Sequence, residues 1–244
     1  MVITSLENEK VKNYVKLQKK KYRDLTNLYI VEGEHLVLES LKAGVVKEII
    51  LLDGEEFNCD LPIYYVTYDI LKKISTMDNA PKIMAVCIKN NTNDIIGNRV
   101  LALDGIQDPG NLGTIIRSSL AFNISTIVLL ENSVDLYNSK VLRATQGMYN
   151  HINIVNLTFD ELYKYIKNNN IKLYGTSVVN GVDVRKLDSN EKDRYCLVMG
   201  NEGQGVRKEI LDCCYKKLYI NMNPKVESLN VGVACSILLY ELER

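Results

Sequence analysis

The stretch "VLALDGIQDPGNLGTIIRSSLAF", residues 100–122, decides the fold. An apolar, strand-like run leads into a loop of Asp, Pro, Gly and Asn, and an amphipathic run follows it. A strand, a short loop and a helix in this order form the repeating unit of α/β sheets. Asn111 is a candidate helix cap, because its side-chain oxygen can accept from free backbone N–H groups. Arg117 either reaches back toward the helix start or lies on the surface, and spacing alone favours the surface.

The same alternation of strands and helices continues to the C-terminus. It predicts the α/β class, with a parallel sheet covered on both faces. The last helical run, "LNVGVACSILLYELER", is apolar nearly all round, so it is buried within the chain or against a partner subunit. Ligands of open parallel sheets bind at the carboxyl ends of strands, so the loops after the strands are the candidate sites. The predicted strands are "RVLALD", "STIVLLE", "INIVNL", "KLYGTSV", "YCLVMG" and "KLYIN".

The first 90 or so residues form a separate, smaller α/β pattern. After a helical start, "VEGEHLVLESLKAG" has helical periodicity, and Gly44 is its expected stop. The Asn-rich segment "KNNTNDIIGN", residues 89–98, is typical of a linker. The other predicted elements are the strands "VKEIILLD", "PIYYVT" and "KIMAVCIK" and the short helix "DILKKIS".

Composition places the chain among ordinary soluble globular proteins. Of its 244 residues, 46% are hydrophobic and 25% charged, and the net charge is zero. The longest apolar runs are too short to span a bilayer, and the first residues lack the apolar core of a signal peptide. We therefore expect a cytoplasmic protein. The six cysteines form no C-x-x-C pair and the two histidines lie apart, so no metal site is expected.

One segment breaks the charge balance. Residues 10–23, "KVKNYVKLQKKKYR", carry seven basic residues and no acid, with Tyr14 and Tyr22 among them. Such a run is typical of a face that contacts phosphates and stacks on bases. A solvated helix face would give the same pattern.

Two further loops follow apolar strands. In "LVMGNEGQGV", residues 197–206, three glycines allow a backbone to press against a flat ligand, but the spacing is neither G-x-G-x-x-G nor a Walker loop. Glu202 would repel a phosphate, so the loop favours a neutral or cationic ligand. An ordinary strand-to-helix turn is the alternative. In "INMNPKVESLNVGVA", residues 220–234, Ser228 or Asn230 is placed to cap the last helix, or Asn230 points into a site.

The three loops bring Asn, Arg, Glu and Ser to the strand ends of one sheet, without a catalytic histidine, a Cys–His pair or a metal cluster. This set disfavours hydrolases and metalloenzymes. It leaves group transfer or binding, in which positioning dominates.

In their order and spacing, "NLGTIIRSSLAF", "LVMGNEGQGV" and "INMNPKVESLNVGVA" resemble the three motifs of the SpoU (TrmH) family of RNA 2′-O-ribose methyltransferases, within the SPOUT superfamily. The resemblance covers residues 98–244. It implies a SPOUT catalytic domain with a deep trefoil knot, which breaks the usual rule of unknotted connections. "NLYIVEGEHLVLESL" resembles part of the family's L30e-like substrate-binding domain, so residues 1–92 are expected to bind RNA. The family also implies a homodimer, with the last helix near its interface.

The resemblance further implies S-adenosylmethionine as cofactor. Gly200, Ile220 and Leu229 fall where the family holds the adenosine, with Thr176 as a less specific wall. The family's functional residues fall on Asn111, Arg117, Glu202, Ser228 and Asn230.

By this resemblance Arg117 fixes the ribose or its phosphate and stabilises the alkoxide, since a guanidinium is a poor base. Asn111, Ser228 and Asn230 orient the ribose, and Glu202 holds Arg117 or Asn111 in place.

Some positions depart from the family pattern. Asn221 replaces a usual proline, the glycine expected near Pro224 and Lys225 is absent, and Gly232 replaces a common serine. These changes affect the shape of the cofactor loop more than the catalytic side chains. Ribosomal RNA of the 23S type is the expected substrate. The alternatives are a transfer-RNA 2′-O-methyltransferase, a non-catalytic RNA-binding assembly factor that kept the fold, and a nucleotide-binding α/β protein of another class.

Overall fold

The computed structural model describes residues 2–90, 92, 94–178 and 181–244. Contacts divide the chain into two units. The first contains residues up to 90 together with 135–150, and the second contains the remainder. The predicted linker at 89–98 includes residues 91 and 93, which lie outside the described residues. The expected domains, 1–92 and 98–244, follow the order of the chain, whereas in space residues 135–150 group with the first unit.

The first unit is a four-stranded sheet covered by helices. Its strand order is β1-β4-β2-β3, in which β2 and β3 are parallel and the other pairs antiparallel. Strand β1 was not predicted, because its five residues run directly into the helix that follows. The elements are α1 (Glu9–Lys16), α2 (Lys20–Thr26), β1 (Leu28–Glu32), α3 (Glu34–Lys42), β2 (Val46–Leu52), β3 (Ile63–Val66), α4 (Tyr68–Ile74) and β4 (Ile83–Ile88).

Glycines mark both ends of α3. Gly33 precedes the helix at a φ of 95°, and Gly44 follows the C-cap residue Ala43 at a φ of 70°. Only glycine adopts such values without strain, so these positions fix where the helix begins and ends. The predicted helix and its stop at Gly44 are confirmed.

Residues 135–150 complete the first unit with a helix and a short 3₁₀ turn. Arg23 of α2 is 6% exposed, and its guanidinium donates to the Asp135 carboxylate at 2.5 Å. The same side chain donates to the carbonyl oxygens of Leu17 and Gln18. At the other end, the Tyr29 and Tyr149 hydroxyls lie 3.0 Å apart in the core. Residues 135–150 are therefore held by buried polar contacts of the first unit.

Most of the basic run at residues 10–23 is used inside this unit. Tyr14 is 4% exposed and donates to the Glu48 carboxylate at 2.6 Å, so the expectation that it stacks on bases is wrong. Burial, reinforced by the hydrogen bond to Glu48, raises the pKa of Tyr14. Lys10 also pairs with Glu48, at 3.1 Å.

The second unit is a seven-stranded, fully parallel sheet. Its strand order is β7-β6-β5-β10-β8-β11-β9, and the six strands predicted from the sequence are all present. The strands are β5 (Arg99–Asp104), β6 (Thr126–Leu129), β7 (Asn153–Asn156), β8 (Lys172–Thr176), β9 (Val182–Asp183), β10 (Tyr195–Gly200) and β11 (Lys216–Tyr219). The helices of the second half of the chain are α5 (Pro109–Ala121), α6 (Ser139–Thr145, in the first unit), α7 (Phe159–Asn168), α8 (Ser189–Asp193), α9 (Lys208–Asp212) and α10 (Val231–Glu243).

Adjacent strands β5 and β10 bring two distant loops to the same edge. Asp104 is paired in register with Gly200, so the loops that follow both strands start at the same level. Continuous apolar strands form the core around them, as expected for a sheet buried on both faces. The knot implied by the family resemblance stays a prediction. Within the described residues, no helix is long and apolar enough to cross a membrane.

The contact between Arg23 and Asp135 yields a stability prediction. Asp135→Asn leaves the buried guanidinium without its counter-charge, so the free energy of unfolding of the full chain should fall by about 3 kcal/mol. Urea denaturation measures this change. Asp24→Asn, which removes a carboxylate that pairs with Lys20 and Lys89 at the surface, should cost less than about 1 kcal/mol. Equal losses in the two variants would show that residues 135–150 are not anchored through Arg23.

Candidate functional site

A cleft opens at the carboxyl edge of the second unit's sheet. Its volume is about 580 Å³, within the usual range for a small-molecule site. Gly200, Ile220 and Leu229, the three expected cofactor-binding residues, line it, and so does Thr176. Among the described lining residues, Glu202 is the one charged side chain. The walls therefore provide apolar surface and backbone groups, without a cation that would hold a phosphate.

The loop after β5 is capped differently from the sequence prediction. Asp108 is the N-cap of α5, and its carboxylate accepts from the Asn111 backbone N–H at 2.8 Å. Pro109 occupies the first turn, where a missing N–H costs nothing. The prediction that Asn111 caps this helix is wrong, because Asp108 takes that role. The Asn111 side chain is therefore free for other contacts.

Three of the five expected functional residues form one hydrogen-bonded chain. The Asn230 side-chain nitrogen donates to the Asn111 side-chain oxygen at 2.8 Å. The Asn111 side-chain nitrogen donates to the Glu202 carboxylate at 3.0 Å. Asn111 lies in the first turn of α5, Glu202 in the loop after β10 and Asn230 at the N-cap of α10. We call this chain the Asn–Asn–Glu cluster.

The backbone fixes the direction of every bond in this cluster. The Asn230 side-chain oxygen caps α10 by accepting from the N–H groups of Gly232 and Val233, at 2.9 and 3.2 Å. An amide nitrogen cannot accept those bonds, so the Asn230 NH₂ must face Asn111. Asn111 then presents its oxygen to Asn230 and its NH₂ to Glu202. The predicted capping role of Asn230 is thus confirmed.

Glu202 is the anionic end of the cluster. Besides Asn111, it accepts from the backbone N–H groups of Gln107 and Asp108, at 3.4 and 3.2 Å. Partial burial opposes its ionisation, but these hydrogen bonds outweigh burial and lower the pKa of Glu202. It is therefore a carboxylate at neutral pH and a weak proton acceptor.

The glycines of the loop after β10 have separate functions. A Cβ on Gly200 would collide with the backbone of Gly205 and Val206. Because glycine has no side chain, the loop can fold back on the end of the strand. Gly205 has a φ of 72°, which permits the turn closed by its paired bonds with Asn201. A Cβ on Gly203 would lie 3.6 Å from the Asn201 side-chain oxygen, an ordinary contact distance. Close approach at Gly200 is thus to its own loop, even though the residue lines the cleft.

The residues that join the two loops were not predicted from the sequence. The Asn201 side chain donates to the Gly105 carbonyl at 2.8 Å and accepts from two N–H groups of its own loop. Asp104 is 3% exposed and accepts from the Arg207 side chain and backbone N–H, at 2.7 and 2.9 Å. In the sequence, Asp104 is an acidic residue at the end of an apolar strand, and Arg207 is an arginine just after a glycine-rich loop. Neither position indicates a functional role until the contact between the two side chains is known.

Ser228 and Arg117 lie outside the Asn–Asn–Glu cluster. Ser228 is exposed and lines the cleft, and it makes no hydrogen bond to the part of the chain that is described. Arg117 is exposed, with no ion pair or hydrogen bond to any described residue. It lies about 120° around α5 from Asn111 and about 9 Å along its axis. Glu202 was expected to hold Arg117 or Asn111 in place. It contacts Asn111 and not Arg117.

Helix α10 packs against α5 beside the site. Gly232 allows close approach, because a Cβ there would lie 3.2 Å from the Thr114 side chain. Further along, the hydroxyls of Ser118 and Ser236 lie 2.6 Å apart. Val233 and Tyr240 of α10 stay largely exposed. The apolar helix is therefore buried on one side and open on the other.

Neither clustered metal ligands nor acidified buried thiols are found among the described residues. In that part of the chain, no group of three or more histidines, cysteines, aspartates or glutamates is placed to hold an ion. Burial raises the pKa of the Cys214 thiol to about 11 and that of Cys87 to about 12. These thiols stay protonated, so they are poor nucleophiles.

Two family models match the chain. The SpoU rRNA Methylase family matches residues 98–240, more than half of the sequence. The MRM3-like substrate binding domain matches residues 8–85, most of the first unit's leading segment.

Individual relatives match over the whole length. The 23S rRNA (guanosine(2553)-2'-O)-methyltransferase RlmP of Bacillus subtilis (strain 168) is 37% identical over 245 residues, covering 98% of each chain. The structure of an AdoMet-bound rRNA methyltransferase from Sinorhizobium meliloti is 26% identical, with a TM-score of 0.88 over 99% of this chain and 97% of that one. AviRb of Streptomyces viridochromogenes, 21% identical, has a TM-score of 0.88 over 97% of both chains and shares the fold.

The lowered pKa of Glu202 predicts a pH signature. A carboxyl whose pKa is depressed by folding stabilises the protein above its ordinary pKa of 4.5, and this contribution disappears as the pH falls through the folded value. Glu202→Gln should therefore lower the free energy of unfolding by less than about 1 kcal/mol above pH 6, because solvent screens this exposed carboxylate, and the difference should shrink as the pH falls below 4.5. Urea titrations over this range measure it.

The exposed Glu227 of the neighbouring loop, without a hydrogen bond to any described residue, provides the matched control. Glu227→Gln should be neutral across the range. A Glu202→Gln difference that grew on acidification would mean that the carboxylate is not held by Asn111 and the backbone.

Proposed function

The chain belongs to the SpoU rRNA methylase family and is an S-adenosylmethionine-dependent RNA methyltransferase, and we propose that it methylates a ribose 2′-oxygen of 23S rRNA. The full-length likeness to RlmP supports this substrate and favours a guanosine as the nucleotide. The first unit, which matches a substrate-binding domain, is the proposed RNA-binding part. A transfer-RNA substrate is not favoured, and neither is a non-catalytic role.

The observation that carries this proposal is the Asn–Asn–Glu cluster beside a cleft with almost no charge. Methyl transfer to a hydroxyl needs the oxygen aligned with the donor and its developing negative charge stabilised. Asn111 and Asn230 each use one N–H in the cluster, which leaves each amide a second N–H. Because both amides are held by other bonds, these donors keep a fixed direction. We assign them to the ribose oxygens.

The cleft fits the cofactor's chemistry. When bound, S-adenosylmethionine supplies an electrophilic methyl carbon on a positively charged sulfur, and it carries no phosphate. Gly200, Ile220 and Leu229 would hold the adenosine, through backbone groups and apolar contacts. The Glu202 carboxylate is compatible with a nearby cation, whereas it would oppose a phosphate-bearing nucleotide. Thr176 has its hydroxyl bonded to the Val198 carbonyl at 3.1 Å, so it acts as a wall of the cleft.

The cluster is built to align and donate rather than to take up a proton. The pKa of Glu202 is lowered by its hydrogen bonds, and a guanidinium is a poor base. Glu202 therefore acts as a positioning residue that orients Asn111. Ser228, at the mouth of the cleft, is placed to bond a ribose or phosphate oxygen that enters it.

Arg117 requires a second copy of the chain under this proposal. It cannot join the cluster of its own chain, because it lies on another side of α5. Helix α10 packs against α5 through Ser118 and Ser236, and it leaves the apolar side chains of Val233 and Tyr240 exposed. We infer a homodimer through α5 and α10, in which Arg117 of one copy reaches the ribose held by the other. We place the protein in the cytoplasm, where its ribosomal RNA substrate is made.

Site-resolved 2′-O-methylation mapping of total RNA, from cells with and without the gene, tests the function. One methyl in 23S rRNA should be lost and then restored by the wild-type chain, but not by Asn111→Ala. Removing one oriented donor should lower the methylation rate on the order of 10²-fold. Asn98→Ala, an exposed asparagine of the same unit, should restore the methyl fully. An unchanged map in cells lacking the gene would contradict the proposed substrate.

Mixing two inactive variants tests the shared site. Arg117→Ala and Asn111→Ala should each be inactive as homodimers. If Arg117 serves the partner's cluster, refolding the two together creates heterodimers with one intact site, so roughly a quarter of wild-type activity should return. The same variants kept as separate homodimers and combined without exchange are the control. No recovery in verified heterodimers would place Arg117 in the site of its own chain.

A further inference from the structure

We propose that the first unit grips the phosphate backbone of its RNA substrate with four lysines at one joint between helices. Lys16 ends α1, Lys19 is the N-cap of α2, and Lys72 and Lys73 lie in the last turn of α4. We call these four residues the lysine joint. The inference rests on the proposed function, because it concerns how the RNA substrate is held. It places the RNA contact on part of the basic run and on a second helix that sequence patterning did not single out.

One side chain ties the two helical segments together. The Gln18 amide nitrogen donates to the carbonyl oxygens of Lys73 and Ile74, at 3.2 and 2.8 Å. Gln18 sits in the turn between Lys16 and Lys19, whose backbone groups are bonded at 3.0 Å. The turn therefore lies directly against the end of α4, and the four lysine side chains start from the same small region.

Charge pairing separates this joint from most of the other basic residues nearby. Lys21, in the first turn of α2, is also exposed and forms no ion pair with a described residue. Lys10 pairs with Glu48, Lys12 with Glu7, Lys20 with Asp24 and Arg23 with Asp135. In the part of the chain that the structure describes, the lysines of the joint are exposed and none of them is in an ion pair. Lys16 donates to the Asn13 side chain at 3.2 Å, which leaves its charge uncompensated. Four positive charges are thus left for an external anion.

Helix electrostatics account for the lysines at the ends of α1 and α4, but not for Lys19. Lysines in the last turns of α1 and α4 interact favourably with the helix dipoles. Lys19 is different, because it is the N-cap of α2, where a positive charge is unfavourable and where it supplies no capping bond. The first turn of α2 also lacks an acid. Binding of a phosphate would offset the unfavourable interaction between the Lys19 charge and the N-terminus of α2.

The phosphate backbone of RNA is the occupant that fits these features. Lysine ammonium groups on flexible stems act as point charges that neutralise phosphates without selecting a base. The joint lies in the unit that matches a substrate-binding domain. Repulsion among four unpaired ammonium groups is relieved when counterions or phosphates lie between them. The joint therefore positions the RNA, while base selection belongs to other surfaces.

Salt dependence of RNA binding tests the joint directly. The full chain and a variant with all four lysines changed to Gln are titrated with 23S rRNA from cells that lack the gene. Loss of four phosphate contacts should weaken binding on the order of 10- to 100-fold at about 0.1 M salt and flatten the log–log salt slope by about 3. S-adenosylmethionine affinity and unfolding temperature should stay unchanged. Replacement of the same four lysines by Arg should restore binding.

The control variant removes four lysines of the same unit that already have partners. Lys20, Lys42 and Lys82 are exposed and Lys12 is half-buried. Lys12, Lys20, Lys42 and Lys82 pair with Glu7, Asp24, Glu39 and Glu55 respectively. Their change to Gln alters net charge by the same amount, but it should leave the salt slope nearly unchanged. Equal loss of binding in both variants would show that overall charge, rather than the joint, holds the RNA.

Lysine acetylation of the wild-type chain, with and without RNA, gives a second measurement that no folding defect can affect. Bound rRNA should protect Lys16, Lys19, Lys72 and Lys73 several-fold more than the four control lysines. Unchanged reactivity at the joint, with RNA bound, would overturn the proposal. If the wild-type chain neither binds nor methylates the rRNA, the proposed function fails instead. Protection by an anionic vesicle and not by RNA would make the joint a lipid-facing surface and would also overturn the proposal.

Discussion

The arrangement of the site depends on one amide, the side chain of Asn230. Its oxygen is committed to two backbone N–H groups at the start of α10, so its nitrogen can only donate outward. That donor meets the Asn111 oxygen, which in turn aims the Asn111 nitrogen at Glu202. A helix cap thus sets the polarity of a chain of bonds that joins three segments. If Asn230 were replaced by another capping residue, such as Ser or Asp, the helix would still be capped, but the rest of the chain would lose its direction.

The sheet provides the constraint on which this amide relies. Strands β5 and β10 are in register up to Asp104 and Gly200, so loops from distant parts of the sequence leave the sheet side by side. Asn201 and Arg207 then fasten the second loop to the first, through Gly105 and the buried Asp104. These bonds hold the glycine turn in one place. A cleft with mobile walls could not align a methyl donor and an oxygen.

Local pattern in the sequence predicted the regular elements well. Apolar runs that alternate with helical segments identified all six of the longer strands in the second unit, and Gly44 marked the end of α3. The misses have physical causes. Strand β1 runs without a turn into α3, so periodicity merges the two, and Asp108 competes with Asn111 for the cap because the two residues are three positions apart. The grouping of residues 135–150 with the first unit depends on the Arg23–Asp135 contact, which joins positions far apart in the chain and has no local signature.

The sequence predicted which loops form the site, but it did not predict which of their side chains form hydrogen bonds with each other. Asn111, Glu202 and Asn230 do converge, whereas Arg117 and Ser228 do not join them, since helix phase and loop path decide which side chains meet. Asp104, Asn201 and Arg207 were invisible because each is ordinary in its own stretch of sequence. Some basic residues of the run at 10–23 form ion pairs with Glu7, Glu48, Asp24 and Asp135, whereas others form none. Only the folded chain shows which residues are paired.

Under the proposed function, Asn111 acts through the direction of its N–H groups and not through its shape. Asn111→Asp tests it most directly, because the side chain keeps its size while the donors become an acceptor facing Glu202. Single-turnover methylation of 23S rRNA is measured alongside calorimetric binding of S-adenosylmethionine. The account predicts a rate lower on the order of 10²-fold, with cofactor affinity changed by less than about threefold. A rate near that of the wild type, or a loss confined to cofactor affinity, would contradict it.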